Sequence, residues 1–547
     1  MNISLSDLTL REKIGQTAVV QSSTLINMEF NNKMDEYLQH NPVGVWHVCN
    51  VAMQMANLEN VTGDKYEDSA FYRNWTKRVA KCMNVPPFIA LDPPNSAYAT
   101  DMADLVNPPV VGASNSKKVA EDYGKYQALC ARALGANWVW ALNVDIPSRF
   151  NGVCIHRQVS SDRDTLSALS KCIVNGCQEN NVAMTAKHFP GMDKEEYRDS
   201  HFVNTCNNLS LKEWKEGQGK VFQDMIDSGV YSVMTGHQSF PAVDDTEING
   251  DYIPTTLSHK IITGLLKEEM GFDGVVVTDG IEMGALKAIY PKAEDLYVAL
   301  LNAGNDVLLG VSRLDYVDII EKAVKDGRIS EARIDDACER ILNVKRKIGL
   351  FDDVCEVEMS DELKNKIAIF NTSASEHSII LQCDKNNQLP LDKNKVKNVA
   401  ILAFSHSESF HVDLEAMKEE FEQRGINVRL QRRIESYEQM HEISEENDVI
   451  IYASYVVPHS PMGGSGLFCD ECKALFYAFT SGKSKSVGVS MGSPYVYYDY
   501  FIGMDTFVHA LSNRKESQIA FVKALFGELS FDGVYQFEKP WDKKRGF

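Results

Sequence analysis

Through the first 350 or so residues, short runs rich in apolar residues alternate with amphipathic helical patterns. The runs cover 43–48, 88–91, 138–144, 183–186, 231–234, 275–278 and 306–309, and helical periodicity marks stretches such as 211–228 and 261–270 between them. Strands that are apolar on both faces and separated by helices predict a parallel sheet covered on both sides. So many units before any long connector predict a (β/α)8 barrel of the TIM type rather than an open sheet. Polar residues stand at the carboxyl ends of several runs: Asp92, Asp145, Lys187 with His188, His237 and Asp279. In a parallel barrel those ends share one mouth, where barrel enzymes place their chemistry.

Further along, Gly327-Arg328-Ile329-Ser330 opens a helix running to about Lys347, and Gly349-Leu350-Phe351-Asp352 reads as its stop. The expected barrel domain is therefore 1–352, followed by a polar linker over 353–365. Runs at 399–403, 427–430, 449–453, 487–490 and 507–510 then alternate with helices such as 413–424 and 518–526. They predict a smaller C-terminal domain, 366–547, an α/β three-layer sandwich. The whole chain is of the α/β class.

Composition narrows the function more than the fold. A formal net charge of -20 over 547 residues argues against nucleic acid as a partner, because phosphate binding needs basic surface. No apolar run approaches the roughly 18 residues of a membrane span, and the first residues, Met1 to Leu8, lack the pattern of a signal peptide. Twelve scattered cysteines fit reduced thiols in a cytoplasmic protein. The one CxxC, Cys469-Asp470-Glu471-Cys472, has no matching second pair and reads as two free thiols on a helix. The thirteen histidines show no zinc-type spacing with acids, and no glycine-rich phosphate loop is present, so neither metal nor cofactor is expected.

Three segments carry chemistry. Lys187-His188-Phe189-Pro190-Gly191 supplies polar groups able to grip a hydroxylated ligand, and Asp199-Ser200-His201 supplies an imidazole backed by a carboxylate. Val275-Val276-Val277-Thr278 ends in Asp279, a carboxylate at a strand end followed by a glycine that admits close approach. Taken singly, these are a turn pair and a strand-end hydrogen-bonding residue. Together they are the parts of a two-step displacement at an acetal carbon, with nucleophile and proton donor. Residues 192–198 carry five charged residues out of seven and read as a surface loop over the mouth, able to bring His201 to the bond.

These segments resemble glycoside hydrolase family 3, and within it the bacterial β-N-acetylglucosaminidases. The likeness extends through Ser232-Val233-Met234-Thr235-Gly236-His237, Pro254-Thr255-Thr256-Leu257-Ser258, Gly271-Phe272-Asp273-Gly274, Ala303-Gly304-Asn305-Asp306, Leu389-Pro390-Leu391 and Gly492-Ser493-Pro494. The resemblance implies that Asp279 forms a glycosyl ester and that His201, backed by Asp199, is acid and then base. It also implies that Asp92, Arg157, Lys187 and His188 hold sugar hydroxyls. The expected activity is a retaining exo-β-N-acetylhexosaminidase acting on a small oligosaccharide or glycoconjugate, with the oligomeric state open. Alternatives are a β-glycoside phosphorylase, a β-glucosidase or β-xylosidase, and a weakly active sugar-binding relative. Two departures bear on the choice. The family's Gln-Glu-Gly-Gly-Arg after the aspartate is here Pro93-Pro94-Asn95-Ser96-Ala97, and its Gly-His-Gly is here Gly191-Met192-Asp193.

Overall fold

The computed structural model describes residues 3–21, 32–48, 68–93, 99–149, 155–352, 354–405, 412–432, 434, 436–457, 467 and 484–539. The CxxC and residues 94–97 lie outside the described residues. By internal contacts the chain divides into two compact units. The first comprises 1–105, 120–145 and 170–367; the second comprises 106–119, 146–169 and 368–547.

The first unit is built on eight strands: β1 (Ala18–Gln21), β2 (Val45–His47), β3 (Phe88–Leu91), β4 (Trp138–Asn143), β5 (Ala183–Phe189), β6 (Ser232–Thr235), β7 (Val275–Thr278) and β8 (Leu308–Val311). They pair in the order β8-β1-β2-β3-β4-β5-β6-β7, every neighbour parallel. An isolated bridge between Val277 and Val307, with Thr278 N donating to Val307 O at 3.0 Å, brings the sheet nearly round to closure. This is the expected α/β barrel.

Side-chain alternation explains how an apolar floor becomes a polar mouth. Successive residues of a strand face opposite sides, so one parity points inward. The inward core holds Val45, Phe88, Ala90, Trp138, Trp140, Ala183, Met234, Val275 and Val277. Continuing each parity toward the carboxyl end gives Val45 then His47, Ala90 then Asp92, Thr185 then Lys187, and Val277 then Asp279. Trp138 Nε1 donates to Thr185 Oγ1 at 2.7 Å across the interior, so the middle layer is already hydrogen-bonded.

The seam between β7 and β8 is held by a buried ion cluster from the Ala303-Gly304-Asn305-Asp306 segment. Asp306 is fully buried, accepts the N–H of Val276 at 2.9 Å, lies 2.8 Å from Lys267 Nζ, and is also paired with Arg333. Asn305 donates to Thr256 O and Leu300 O at 2.9 and 2.7 Å and receives the Thr235 hydroxyl at 3.0 Å. The cluster thus fixes the strand that ends in Asp279.

In the second unit six strands, β9 (Ile380–Asp384), β10 (Asn398–Ser405), β11 (Asn427–Gln431), β12 (Val449–Tyr455), β13 (Lys485–Ser490) and β14 (Thr506–His509), form a sheet ordered β9-β14-β13-β12-β10-β11. Only the β9–β14 pair is antiparallel. Both faces are buried. Val399, Ile401, Ile451 and Val489 pack with Met417 and Phe521, while Ala400, Leu402, Ile450 and Tyr452 pack with Met440 and Phe501. This is the three-layer arrangement. The segments 106–119 and 146–169 join this unit: Ala113 O accepts the N–H of Val534 at 2.8 Å, and Gln536 O accepts that of Ser161 at 2.9 Å.

Several expected elements shift. β1 and β9 are short strands that the apolar pattern did not single out. β5 does not stop at Ala186 but runs through Lys187 and His188 to Phe189, with its register to β6 slipping between Lys187 and Phe189. The helix expected over 211–228 is two helices, Leu211–Glu216 and Gln218–Asp227, parted at Gly217. The helix over Glu331–Lys347 is as expected, with the Ser330 side chain accepting from Arg333 N. No helix among the described residues is long and apolar enough to cross a membrane.

Removing one member of a buried ion cluster leaves the others uncompensated. We expect Asp306→Ala to cost about 3–5 kcal/mol of unfolding free energy, measured by urea denaturation. A loss below about 1 kcal/mol would contradict the bracing role given to this carboxylate.

Candidate active site

At the mouth of the barrel, Lys187 Nζ donates to Asp92 Oδ1 at 3.0 Å; the lysine is buried and the aspartate half-exposed. His47 belongs to the same layer. Its ring sits 4.8 Å from that of Trp140, and its Nδ1 is buried without a hydrogen-bond partner. Burial pulls the His47 pKa down, Asp92 opposing and Lys187 reinforcing the effect, so the ring is held neutral.

His188 bridges two carboxylates. Asp145, fully buried at the end of β4, accepts the backbone N–H of His188 at 3.2 and 3.1 Å and faces Nδ1 at 2.8 Å. A carboxylate only accepts, so Nδ1 carries a proton toward Asp145, and Nε2 lies 3.9 Å from Asp279 Oδ2. The turn that follows is pinned through its carbonyls. Trp214 Nε1 donates to Pro190 O at 2.6 Å and Asn207 Nδ2 to Gly191 O at 2.8 Å. Gly191 has φ +94°, and a Cβ there would meet the Gln218 side chain at 2.7 Å, so the position admits only glycine.

Asp279 follows β7. Its N–H donates to Thr235 O at 2.9 Å, and its Oδ1 accepts the Gly280 N–H at 2.8 Å. Burial alone would raise its pKa, but His188, His237, Lys187 and the Gly280 N–H outweigh burial and hold it down to about 2. The carboxylate is therefore ionised throughout the neutral range. His237, completely buried, supports the same turn: Nε2 donates to Gly280 O at 2.9 Å, and Nδ1 lies 3.0 Å from the Thr256 hydroxyl. Burial lowers the His237 pKa, so the neutral ring donates from Nε2 and accepts from Thr256 at Nδ1.

Asp199 and His201 sit on a separate segment. Asp199 Oδ1 accepts both the His201 backbone N–H at 2.9 Å and its Nδ1–H at 2.6 Å, which fixes the orientation of the ring. The segment is docked beside the Asp279 turn, because Gly284 N donates to His201 O at 2.9 Å. A Cβ at Gly284 would lie 2.5 Å from Phe202 O, so this approach also depends on glycine. The His201 ring is close enough to His237 for its charge to depress that residue's pKa.

In the charged run before it Glu195, Tyr197 and Arg198 are exposed, as expected of a surface loop, while two carboxylates turn inward. Asp193 and Glu196 are buried because they satisfy backbone donors. Asp193 accepts from Glu195 N and Asn208 N, each at 3.0 Å, and Glu196 accepts from Cys206 N at 3.0 Å while pairing with the Arg198 guanidinium.

Of the expected site residues, Asp92, Lys187, His188, Asp279, His201 and Asp199 all lie in the first unit. Arg157 belongs to the segment 146–169, which packs within the second. Asp145 and His237 had been noted only as strand-end residues, yet they orient His188 and the Asp279 turn. His47 gave no separate signal, since only its parity on β2 points it inward.

The family model described as "Glycosyl hydrolase family 3 N terminal domain" matches residues 9–344. A beta-N-acetylglucosaminidase/beta-glucosidase of Cellulomonas fimi is 34% identical over 226 residues, 40% of this chain and 40% of that protein. Beta-hexosaminidase A of Pseudoalteromonas piscicida is 25% identical over 292 residues, 48% of each. The matched stretches thus span less than half the length of these relatives. Among solved structures, a family 3 beta-N-acetylglucosaminidase from Paenibacillus sp. str. FPU-7 superposes with TM-score 0.81 at 24% identity, covering 97% of this chain and 99% of that one. A beta-glucoside phosphorylase superposes with TM-score 0.81 at 21% identity, covering 98% and 94%. At these identities the likeness concerns the fold.

The depressed Asp279 pKa has a consequence for stability. A carboxylate whose folded pKa lies below its unfolded value of 3.8 stabilises the fold fully above that value and loses the contribution as pH falls toward about 2. The stability difference between the wild type and Asp279→Asn, from urea unfolding, should therefore shrink between pH 4 and pH 2. A difference that is flat over this range would contradict the electrostatic account of this turn.

Proposed function

The chain belongs to glycosyl hydrolase family 3, and from that premise we propose that it is a retaining exo-β-N-acetylglucosaminidase. In this reading it removes terminal β-linked N-acetylhexosamine from cell-wall or chitin-derived oligosaccharides through a covalent ester at Asp279. The observation that carries the reading is the Asp199–His201 pair, an imidazole oriented by a carboxylate and docked beside the Asp279 turn. Relatives named beta-N-acetylglucosaminidase/beta-glucosidase and beta-hexosaminidase A support it.

The steps balance as follows. With Oδ1 engaged by Gly280 N–H, Asp279 Oδ2 attacks the anomeric carbon. The bond to the leaving oxygen breaks as His201 Nε2 gives that oxygen its proton. The developing imidazole lone pair then takes a proton from water, the oxygen of that water bonds to the anomeric carbon, and the ester bond to Asp279 is released. Two displacements restore the starting configuration. Asp199 keeps the Nδ1 proton in place throughout and stabilises the imidazolium. Lys187, His188 and Asp92 are assigned to sugar hydroxyls, the first two held by Asp92 and Asp145. The eight cysteines among the described residues are free thiols, which supports placing the protein in a reducing compartment.

A second reading keeps the same ester but resolves it with inorganic phosphate. The use of an imidazole rather than a carboxylate as base favours it, since a neutral ring does not repel a phosphate anion. Formation of a sugar 1-phosphate in phosphate buffer distinguishes the two.

Across aryl β-glycosides differing at the 2-position, the 2-acetamido substrate should be turned over fastest; a faster glucoside or xyloside would replace the substrate assignment. Asp279→Asn should remove activity by about 10⁴-fold or more, read as kcat. His201→Ala should reduce kcat/KM on natural disaccharides about 10²–10⁴-fold while sparing aryl glycosides with good leaving groups. Equal losses on both would count against His201 as the proton donor.

A further inference from the structure

Among the described residues, the exposed large hydrophobic side chains of the first unit are Tyr197, Phe202, Val203 and Tyr252, at 71%, 59%, 43% and 39% exposure. All four lie on the segment that carries His201 or on a short hairpin bound to it. The hairpin pairs Glu247–Ile248 with Asp251–Tyr252, and Asn204 Nδ2 donates to Tyr252 O at 2.9 Å. Ser239 Oγ donates to the same carbonyl at 2.8 Å, so the two segments share a polar stitch. Exposed aromatic groups on adjoining segments mark a binding surface.

Its position says what it binds. A proton donor acts within about 2.6–3.2 Å of the leaving oxygen, so the group attached to that oxygen lies beside the residues flanking His201. Phe202 follows His201 directly. Its backbone is held in place: Phe202 N and Val203 N both donate to Asp199 O, at 3.0 and 3.2 Å. Gly284 closes against Phe202 O from the other side. An exposed aromatic ring on a backbone fixed in this way matches the C–H face of a sugar ring.

We propose that Phe202 is the platform that receives the leaving-group ring, and that this ring is a pyranose. The assignment rests on the proposed role of His201 as proton donor, and it goes further in naming which residues choose the aglycone.

The test compares kcat/KM for a β-linked disaccharide with that for the methyl β-glycoside of the same donor sugar. Both need the proton from His201, but only the disaccharide carries a second ring. Phe202→Ala should lower the disaccharide-to-methyl ratio about tenfold, and Phe202→Trp should hold it within about twofold of wild type. Tyr437→Ala, an exposed aromatic of the second unit, should leave the ratio where it was. An unaltered ratio in Phe202→Ala and in the combined Tyr197→Ala, Phe202→Ala, Tyr252→Ala variant overturns the platform. A fall on aryl glycosides with none on the disaccharide overturns the pyranose assignment. The donor sugar is whichever of the 2-acetamido, gluco and xylo forms the wild type turns over. A preference for gluco or xylo removes the N-acetylglucosaminidase reading alone, and turnover of none removes both.

Discussion

A carboxylate removed from water stays ionised only where fixed charges and hydrogen bonds replace the solvent it has lost. Asp279, largely but not wholly withdrawn from solvent at 23% side-chain exposure, is such a group, and the neighbouring architecture can be traced back from it. Its charge is favoured by His188 and Lys187, and each of these is in turn held by a carboxylate, Asp145 and Asp92. Its backbone turn is held by His237 through Gly280 O, and His237 by Thr256. Thr256 O is held by Asn305, whose neighbour Asp306 braces the strand leading to Asp279. The support therefore runs from the ends of β3 to β7 into the seam between β7 and β8, each member ordered by the next. The apolar floor beneath needs no such help, because Val, Ala and Trp side chains in alternating registers fill it.

Much of this was legible before any coordinates. Runs such as 275–278 were apolar enough on both faces to announce buried parallel strands, and Asp279, Lys187, His188 and the Asp199–His201 pair stood out by their neighbours in sequence. What escaped notice depended on relations between strands. Asp145 meets His188 across a neighbouring strand, and no spacing within either segment encodes that meeting. β5 was cut short at Ala186 because a lysine and a histidine look like the end of a buried run; the interior of the mouth is polar, so the strand continues through them. Asp193 and Glu196 looked solvated because composition cannot reveal that a carboxylate will cap the backbone of its own loop. The approach of the hairpin to the loop is equally hidden, since it is made through Asn204 and Ser239.

Family membership and fold answer different questions about this chain. The match over residues 9–344 establishes the family, and superposition on solved structures extends the architecture through the second unit. Neither reaches the choice of donor sugar or acceptor. After Asp92 this chain also carries Pro93-Pro94-Asn95-Ser96-Ala97 in place of the family's Gln-Glu-Gly-Gly-Arg.

The Asp199–His201 pair stands on scaffolding of its own. Asp193 and Glu196 satisfy the backbone of their segment locally, and its attachment to the barrel includes a backbone contact at Gly284. The carboxylate at 279, by contrast, is part of the wall and cannot be moved without rebuilding the seam. A segment braced so largely by its own residues can be exchanged or shortened while the wall persists, and descendants of one barrel can diverge at their rims without diverging in shape.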